Sequence, residues 1–191
     1  MATIAKLHKT TAARTLGIDA STNSIAFCVY WNRHPVRWGK INLTGSSIDD
    51  KIADAQRKTE ALQKELEVDY VGVEAAVFVQ NPNVAIQLAY VFGAILGELQ
   101  RNGVKVVRVP PLVWQTSLDN PLLTKSERET LKKQNPGKSD TWYKNYFRKY
   151  RKQRTMDYFN KRWPMNITDD NIGDACGIAR HVYWKLTKRE N

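Results

Sequence analysis

Two short apolar runs, Leu16-Gly-Ile-Asp19 and Val71-Gly-Val-Glu74, each end on a carboxylate. Both runs read as buried strands, and an ionised acid in such a strand is costly unless it is paired or meets a cation. Whatever this chain folds into must therefore bring compensating charge to Asp19 and Glu74. A third acidic group, Asp169, Asp170 and Asp174, falls in the first turns of the last helical segment, where Asp170 and Asp174 share a face at i, i+4 spacing.

Each acid also has an ordinary reading. Asp169 and Asp170 suit a helix cap, Glu74 suits a structural ion pair, and Asp19 before Ser21-Thr-Asn23 suits a turn. Taken together they are more specific: oxygen ligands from separate elements suit Mg²⁺ or Mn²⁺. Zinc is disfavoured, because His8, His34, His181, Cys28 and Cys176 have no metal-ligand spacing. Two divalent ions about 3.5–4 Å apart, held by such acids, are a recurrent device for hydrolysing phosphodiesters.

The rest of the chain supplies a frame for these groups. Thr15 to Ala20, Ser24 to Trp31 and Val36 to Leu43 read as an antiparallel meander, with His34-Pro35 as its second turn. Ile48 to Glu67 has helical apolar spacing, Asp69 to Val77 is a strand, and Asn83 to Arg101 is a helix apolar around most of its circumference, closed by Asn102-Gly103. Val104 to Val109 is a further strand ended by Pro110-Pro111, with a brief helix from Leu112. Periodicity fades from Ser117 to Ser139, which reads as a mobile basic excursion with one helical turn near Lys125 to Lys133. It returns over Asp140 to Trp163 and again from Thr168-Asp-Asp170 to about Leu186. The order β-β-β-α-β-α-β-(excursion)-α-α gives one α/β domain over 15–191, a mixed five-stranded sheet flanked by helices, after a basic tail at 1–14.

Charge says what such a domain meets. Thirty Lys and Arg against nineteen acids leave a net +11 in 191 residues, and 42% hydrophobic content excludes a disordered polycation. From Lys125 to Trp163 there are thirteen Lys and Arg against four acids, a surplus of nine. So concentrated a patch calls for a polyanion, nucleic acid before a membrane surface. Lys144, Arg148, Lys149, Arg151, Lys152 and Arg154 fall on the outer face of that helix to contact phosphates. The aromatics Trp142, Tyr146, Phe147, Tyr150, Tyr158 and Phe159 are expected to pack on the sheet. No signal peptide is visible, the longest apolar run (Val84 to Leu99) falls short of a spanning helix, and two cysteines are too few for a disulfide framework. A soluble protein of the cytoplasm is expected.

Leu16-Gly-Ile-Asp19-Ala-Ser-Thr-Asn-Ser24, Val71-Gly-Val-Glu74 and Asp174-Ala-Cys-Gly-Ile-Ala179 resemble the motifs of the RuvC-type Holliday-junction resolvases, within the RNase H-like (retroviral-integrase) superfamily. The resemblance covers almost the whole chain and implies an RNase H-like fold. It implies that Asp19, Glu74, Asp170 and Asp174 hold two Mg²⁺ ions (Mn²⁺ substituting) and that Lys152 or Arg151 lies over the scissile phosphate. Phe78 and Asn81 would touch DNA, and two copies would pair through the helix at 83–101. Three departures are visible: the position three before the final Asp is Asn171 rather than an acid or His; the aromatic wedge is displaced from Val77 to Phe78; and the excursion shifts the register near Arg151-Lys152.

The expected function is a metal-dependent endonuclease that resolves Holliday junctions, and other branched DNA, by paired symmetric nicks. Its small size and basic excursion resemble a phage-type member, which would act in the host cytoplasm. Two other readings stand beside it. One is a non-catalytic junction- or duplex-binding protein. The other is an actin-like or sugar-kinase-type ATP-binding protein, suggested by Leu-Gly-Ile-Asp-x-Ser-Thr-x-Ser but short of the second domain such proteins need.

Overall fold

The computed structural model describes residues 13–74 and 81–187. Five strands, β1 (Thr15–Ala20), β2 (Ser24–Trp31), β3 (His34–Asn42), β4 (Tyr70–Glu74) and β5 (Lys105–Val109), form a mixed sheet in the order β3-β2-β1-β4-β5. The meander β1-β2-β3 is antiparallel, and β4 and β5 add in parallel beside β1. Among the described residues six helices cover it: α1 (Ile48–Leu66), α2 (Pro82–Arg101), α3 (Pro111–Thr116), α4 (Lys125–Gln134), α5 (Asp140–Arg162) and α6 (Asp170–Thr187). This is the expected α/β class and strand count.

Alternation along the strands splits the core into two layers. Leu16, Ile18, Val71 and Val73 face α1 and α2, where they meet Leu62, Val91, Ile95 and Leu99. The opposite face receives α6, whose Ala175, Cys176, Ile178, Ala179 and Val182 are sealed from solvent together with Trp114 of α3 and Phe159 of α5. Both cysteines are buried and free.

Glycine sets how closely α6 approaches. A Cβ on Gly17 would lie 2.1 Å from the Ala175 carbonyl oxygen and 2.5 Å from the Ala179 nitrogen. On Gly72, Gly17's partner in the parallel register, it would meet Val182 and Ile178 side-chain carbons at 2.6 and 2.7 Å. These two bare positions let the helix lie directly on the central strands. Thr15 locks it there, its hydroxyl donating to the Ala179 carbonyl at 3.1 Å.

Several expectations need correction. The second hairpin turns at Asn32-Arg33, both at positive φ (47° and 67°), so His34-Pro35 opens β3 instead of forming the turn. A two-residue turn with both residues left-handed matches the strand twist, and Pro35 is tolerated because β3 is an edge strand. The excursion is not a loop with one turn. Its segment α4 is ten residues long, started by a capping box in which Thr124 accepts from the Glu127 amide while Glu127 returns to the Thr124 amide. It is stapled to α5: Arg151 donates to Gln115 Oε1 (2.6 Å) and to the carbonyls of Asn120 and Pro121, and Arg154 donates to Glu127 (3.2 Å) and the Asp119 carbonyl.

The aromatics of α5 divide. Phe159 is core, but the first half of the helix projects past the sheet, where Trp142 stacks on Tyr146 at 4.8 Å and Tyr143 on Phe147 at 6.1 Å. The tail boundary also moves: Ala13 is buried, and the Arg14 amide donates to Asp69. Residues 1–12, the end of the expected strand at 75–77, and 188–191 lie outside the described residues.

Helix α2 is, by length and composition, long and apolar enough to cross a membrane, contrary to the expectation from its sequence. Its C-terminal half is nonetheless built into the core through Val91, Ile95, Leu96 and Leu99. Its N-terminal half leaves Val84, Ile86 and Tyr90 about half exposed, and open space continues along the helix over Gly93 and Gly97.

Candidate active site

Asp19 is the penultimate residue of β1 and Glu74 ends β4, each one step beyond the last pair that joins these two parallel strands, Ile18 with Val73. Both face α6, because each follows its glycine by two residues and so lies on the glycine's side of the pleat. Asp174, in the second turn of α6, therefore comes down beside them. The three acids expected to converge do so, from positions 19, 74 and 174.

Lys152 of α5 enters this group. Its ammonium lies 2.8 Å from Asp170 Oδ2 and 3.3 Å from Asp174 Oδ2. Asp170 pairs with this lysine and adds its repulsion to Asp19 and Asp174, but stays at the rim, its side chain 44% exposed against 13% for Asp174. Burial works to lower the lysine, and the pull of Asp174 and Asp170 outweighs it, so the ammonium is held charged.

Electrostatics mark the cluster as short of positive charge. Burial, then repulsion from Asp174 and Glu74, pushes the Asp19 carboxyl up to about 7. Burial likewise raises Asp174 to about 6, against the attraction of Lys152. Glu74 is raised by burial and eased by a hydrogen bond from the indole of Trp114, whose Nε1 donates to Glu74 Oε1 at 3.1 Å. One lysine among these acids is not enough to hold them all ionised.

Asn171, at the departure noted in the sequence, reaches the same centre. With its side-chain amide oriented to suit these neighbours, its nitrogen donates to Asp19 Oδ2 at 3.3 Å and its oxygen accepts from Lys40 Nζ at 3.2 Å. Lys40 is itself anchored on Asp169 at 2.7 Å. Asn171 thus acts as a hydrogen-bond donor to Asp19, with a cation from the edge strand behind it. Asp169 is occupied by that lysine and by the Asn171 amide.

The donor chemistry fits a hard divalent cation: buried carboxylate oxygens that repel one another, from three elements, with Trp114 and Asn171 orienting two of them. As the side chains stand, no three such groups among the described residues enclose one ion, and Lys152 takes up the charge of Asp174 instead. Asp19, Glu74 and Asp174 are the residues that would hold the metal, with Asp170 reachable across Lys152.

The raised acids give a sign-specific result. In the unfolded chain these carboxyls titrate near 4, so between about pH 4 and 7 the folded state binds more protons, and stability falls as pH rises through that window. In EDTA at pH 8, Asp19→Asn should be more stable than wild type by about 3 kcal/mol, the difference vanishing toward pH 4. Matched urea titrations check this, and equal stabilities at pH 8 would contradict the burden placed on Asp19.

Among the other sequence candidates, Lys144, Arg148 and Lys149 make no hydrogen bond or ion pair among the described residues, and Arg148 is close enough to lower Glu74 electrostatically. Arg151 and Arg154 are instead spent on the α4 segment. Asn81 caps α2, accepting from the Asn83 and Val84 amides. Phe78 lies outside the described residues. Sequence reasoning missed Trp114, Lys40 and the Asn171 contact.

No family model matches the sequence, and no curated protein does. Solved structures do. RuvC of Thermus thermophilus in complex with a Holliday-junction substrate superposes with a TM-score of 0.64 at 12% identity, covering 90% of this chain and 94% of that one. A second structure of the same protein gives 0.62 at 13% identity with the same coverage. The yeast mitochondrial Holliday-junction resolvase Ydc2 gives 0.55 at 12% identity, covering 95% of this chain and 82% of that one. The chain has the RuvC-type, RNase H-like resolvase fold.

Proposed function

We propose that the protein is a metal-dependent, structure-selective endonuclease that resolves Holliday junctions, and other branched DNA, by paired symmetric nicks. The observation that carries this reading is the meeting of Asp19, Glu74 and Asp174 at the ends of two parallel strands and on the helix across them, beside Lys144 and Arg148, which make no ion pair among the described residues. The similarity to two resolvases, one of them bound to a junction, supports the substrate class.

In this reading Asp19, Glu74 and Asp174 hold the ions, Mg²⁺ or Mn²⁺. When bound, the metal lowers the pKa of the attacking water and stabilises the leaving oxygen. Trp114 fixes the Glu74 carboxylate, and Asn171 fixes Asp19 with the Lys40 charge behind it. Lys152 exchanges its carboxylate partners for the scissile phosphate, and Lys144, Arg148 and Lys149 hold the flanking strand. The exposed apolar residues of α2, Val84, Ile86 and Tyr90, support pairing of two copies, which would present two such sites for symmetric nicks. DNA as substrate fits a cytoplasmic protein.

A labelled four-way junction tests the reading. Nicked product in Mg²⁺ and none in EDTA supports it. Binding without product in Mg²⁺ or Mn²⁺ would replace it by the non-catalytic binding protein.

A further inference from the structure

A groove of about 840 Å³ opens from the carboxylates between α5 and the segment from α3 to α4. One wall is a single face of α5: Lys144, Arg148 and Lys152 at i, i+4 spacing, with Phe147 and Arg151 between them. It runs about 12 Å along the helix axis from Lys152, at the acids, to Lys144. The other wall carries Leu112 of α3 and Leu122 of the following loop, which remain 50% and 53% exposed, together with Gln115 and Arg128.

The two walls ask for different chemistry. Cations on α5 suit phosphates, and half-exposed leucines suit flat apolar surface. A duplex presents phosphate and sugar on its outside and keeps its base faces stacked within, so it satisfies only the first wall. An unpaired strand satisfies both, with its backbone along α5 and its bases turned outward against Leu112, Leu122 and Phe147. The groove is also held open independently of any ligand. Arg151 ties its far wall to α5 through Gln115, Asn120 and Pro121, and Arg128 braces the loop by donating to the Leu123 carbonyl at 2.9 Å.

We infer that this groove is a binding site for a few unpaired nucleotides of the strand to be cut, delivered by the α3–α4 segment to the carboxylates. The inference rests on the nuclease reading and deepens it: the preferred substrates are branched DNAs whose branch point can be locally unpaired.

The full chain in EDTA is titrated with a short oligothymidine carrying one 2-aminopurine and, separately, with a blunt duplex. Wild type should quench the 2-aminopurine on binding, as a base stacked on the Phe147 ring is quenched. The neutral double variant Leu112→Ser/Leu122→Ser should lose roughly tenfold in affinity for the oligothymidine and keep its affinity for the duplex. Arg148→Gln should weaken both and reduce the salt slope by about one contact. Equal losses of the serine variant on both DNAs, or no quenching by wild type, overturn the inference. The quenching arm needs no variant and stands even if the serine pair folds poorly. A protein that cuts junctions without quenching the probe loses the groove and keeps the nuclease reading. One that quenches the probe and never cuts loses the nuclease reading and keeps the groove.

Discussion

Asp19→Asn and Glu74→Gln should each lower the rate of junction cleavage in Mg²⁺ by about a thousandfold or more while junction affinity in EDTA stays within a few-fold. The loss is large because neither substitution alters shape; it removes the charge for which, on the proposed reading, a metal would be bound. Asn at 19 can still lie against the Asn171 amide, and Gln at 74 can still meet the Trp114 indole, so α6 and α3 keep their seats. Affinity survives because the cations proposed to meet DNA, Lys144, Arg148 and Lys149, sit on α5 and make no ion pair with either acid. Removing a buried carboxylate should, if anything, tighten contact with a polyanion. Cleavage within tenfold of wild type by either variant would remove the carboxylate site from the mechanism.

The second large effect is structural in origin. Gly17→Ala should destabilise the protein by about 3 kcal/mol or more, read as a fall in the urea midpoint without a change in slope. The added methyl meets backbone, the Ala175 carbonyl and the Ala179 nitrogen, and backbone cannot swing aside as a flexible side chain can. Relief requires α6 to lift from β1. That movement carries Asp174 away from Asp19, so residual folded protein should also cut poorly. Gly93→Ala, at a helix position with open space around it, is the control and should be neutral or slightly stabilising. A Gly17→Ala protein as stable as wild type would mean that the approach of α6 is not set at this residue.

Much of this was readable because the residues break a rule. Asp19 and Glu74 interrupt apolar strands, and the only economical reason is a shared centre. The element order followed from hydrophobic period, which is strong where an element buries a full face, as β1, β2 and α6 do. It failed where burial is slight. Helix α4 buries only Leu131, so its apolar pattern was almost silent. Its signal was the cap, Thr124-Lys-Ser-Glu127, which spacing alone would have revealed. The aromatics of α5 were misplaced for a related reason: Trp142 and Tyr146 have core spacing but satisfy one another beyond the edge of the sheet. Trp114 looked like any buried tryptophan, and its bond to Glu74 exists only because α3 runs under the end of β4. Lys40 sits on an edge strand where a lysine is ordinary, and only its reach to Asn171 and Asp169 distinguishes it. The paired glycines two residues before each carboxylate were visible as letters, but their purpose depends on where α6 lies.

The closeness of β1 to α6 has a consequence for how the protein comes into being. Asp174 and the apolar face of α6 emerge from the ribosome 155 positions after Asp19, later than every other described helix. Until then the sheet has one uncovered face, and the first two carboxylates have no third. A ribosome-bound fragment therefore holds no assembled centre, and competence arrives together with the final packing step. For the nuclease proposed above, this order leaves partly made copies inert by architecture, with no inhibitor required.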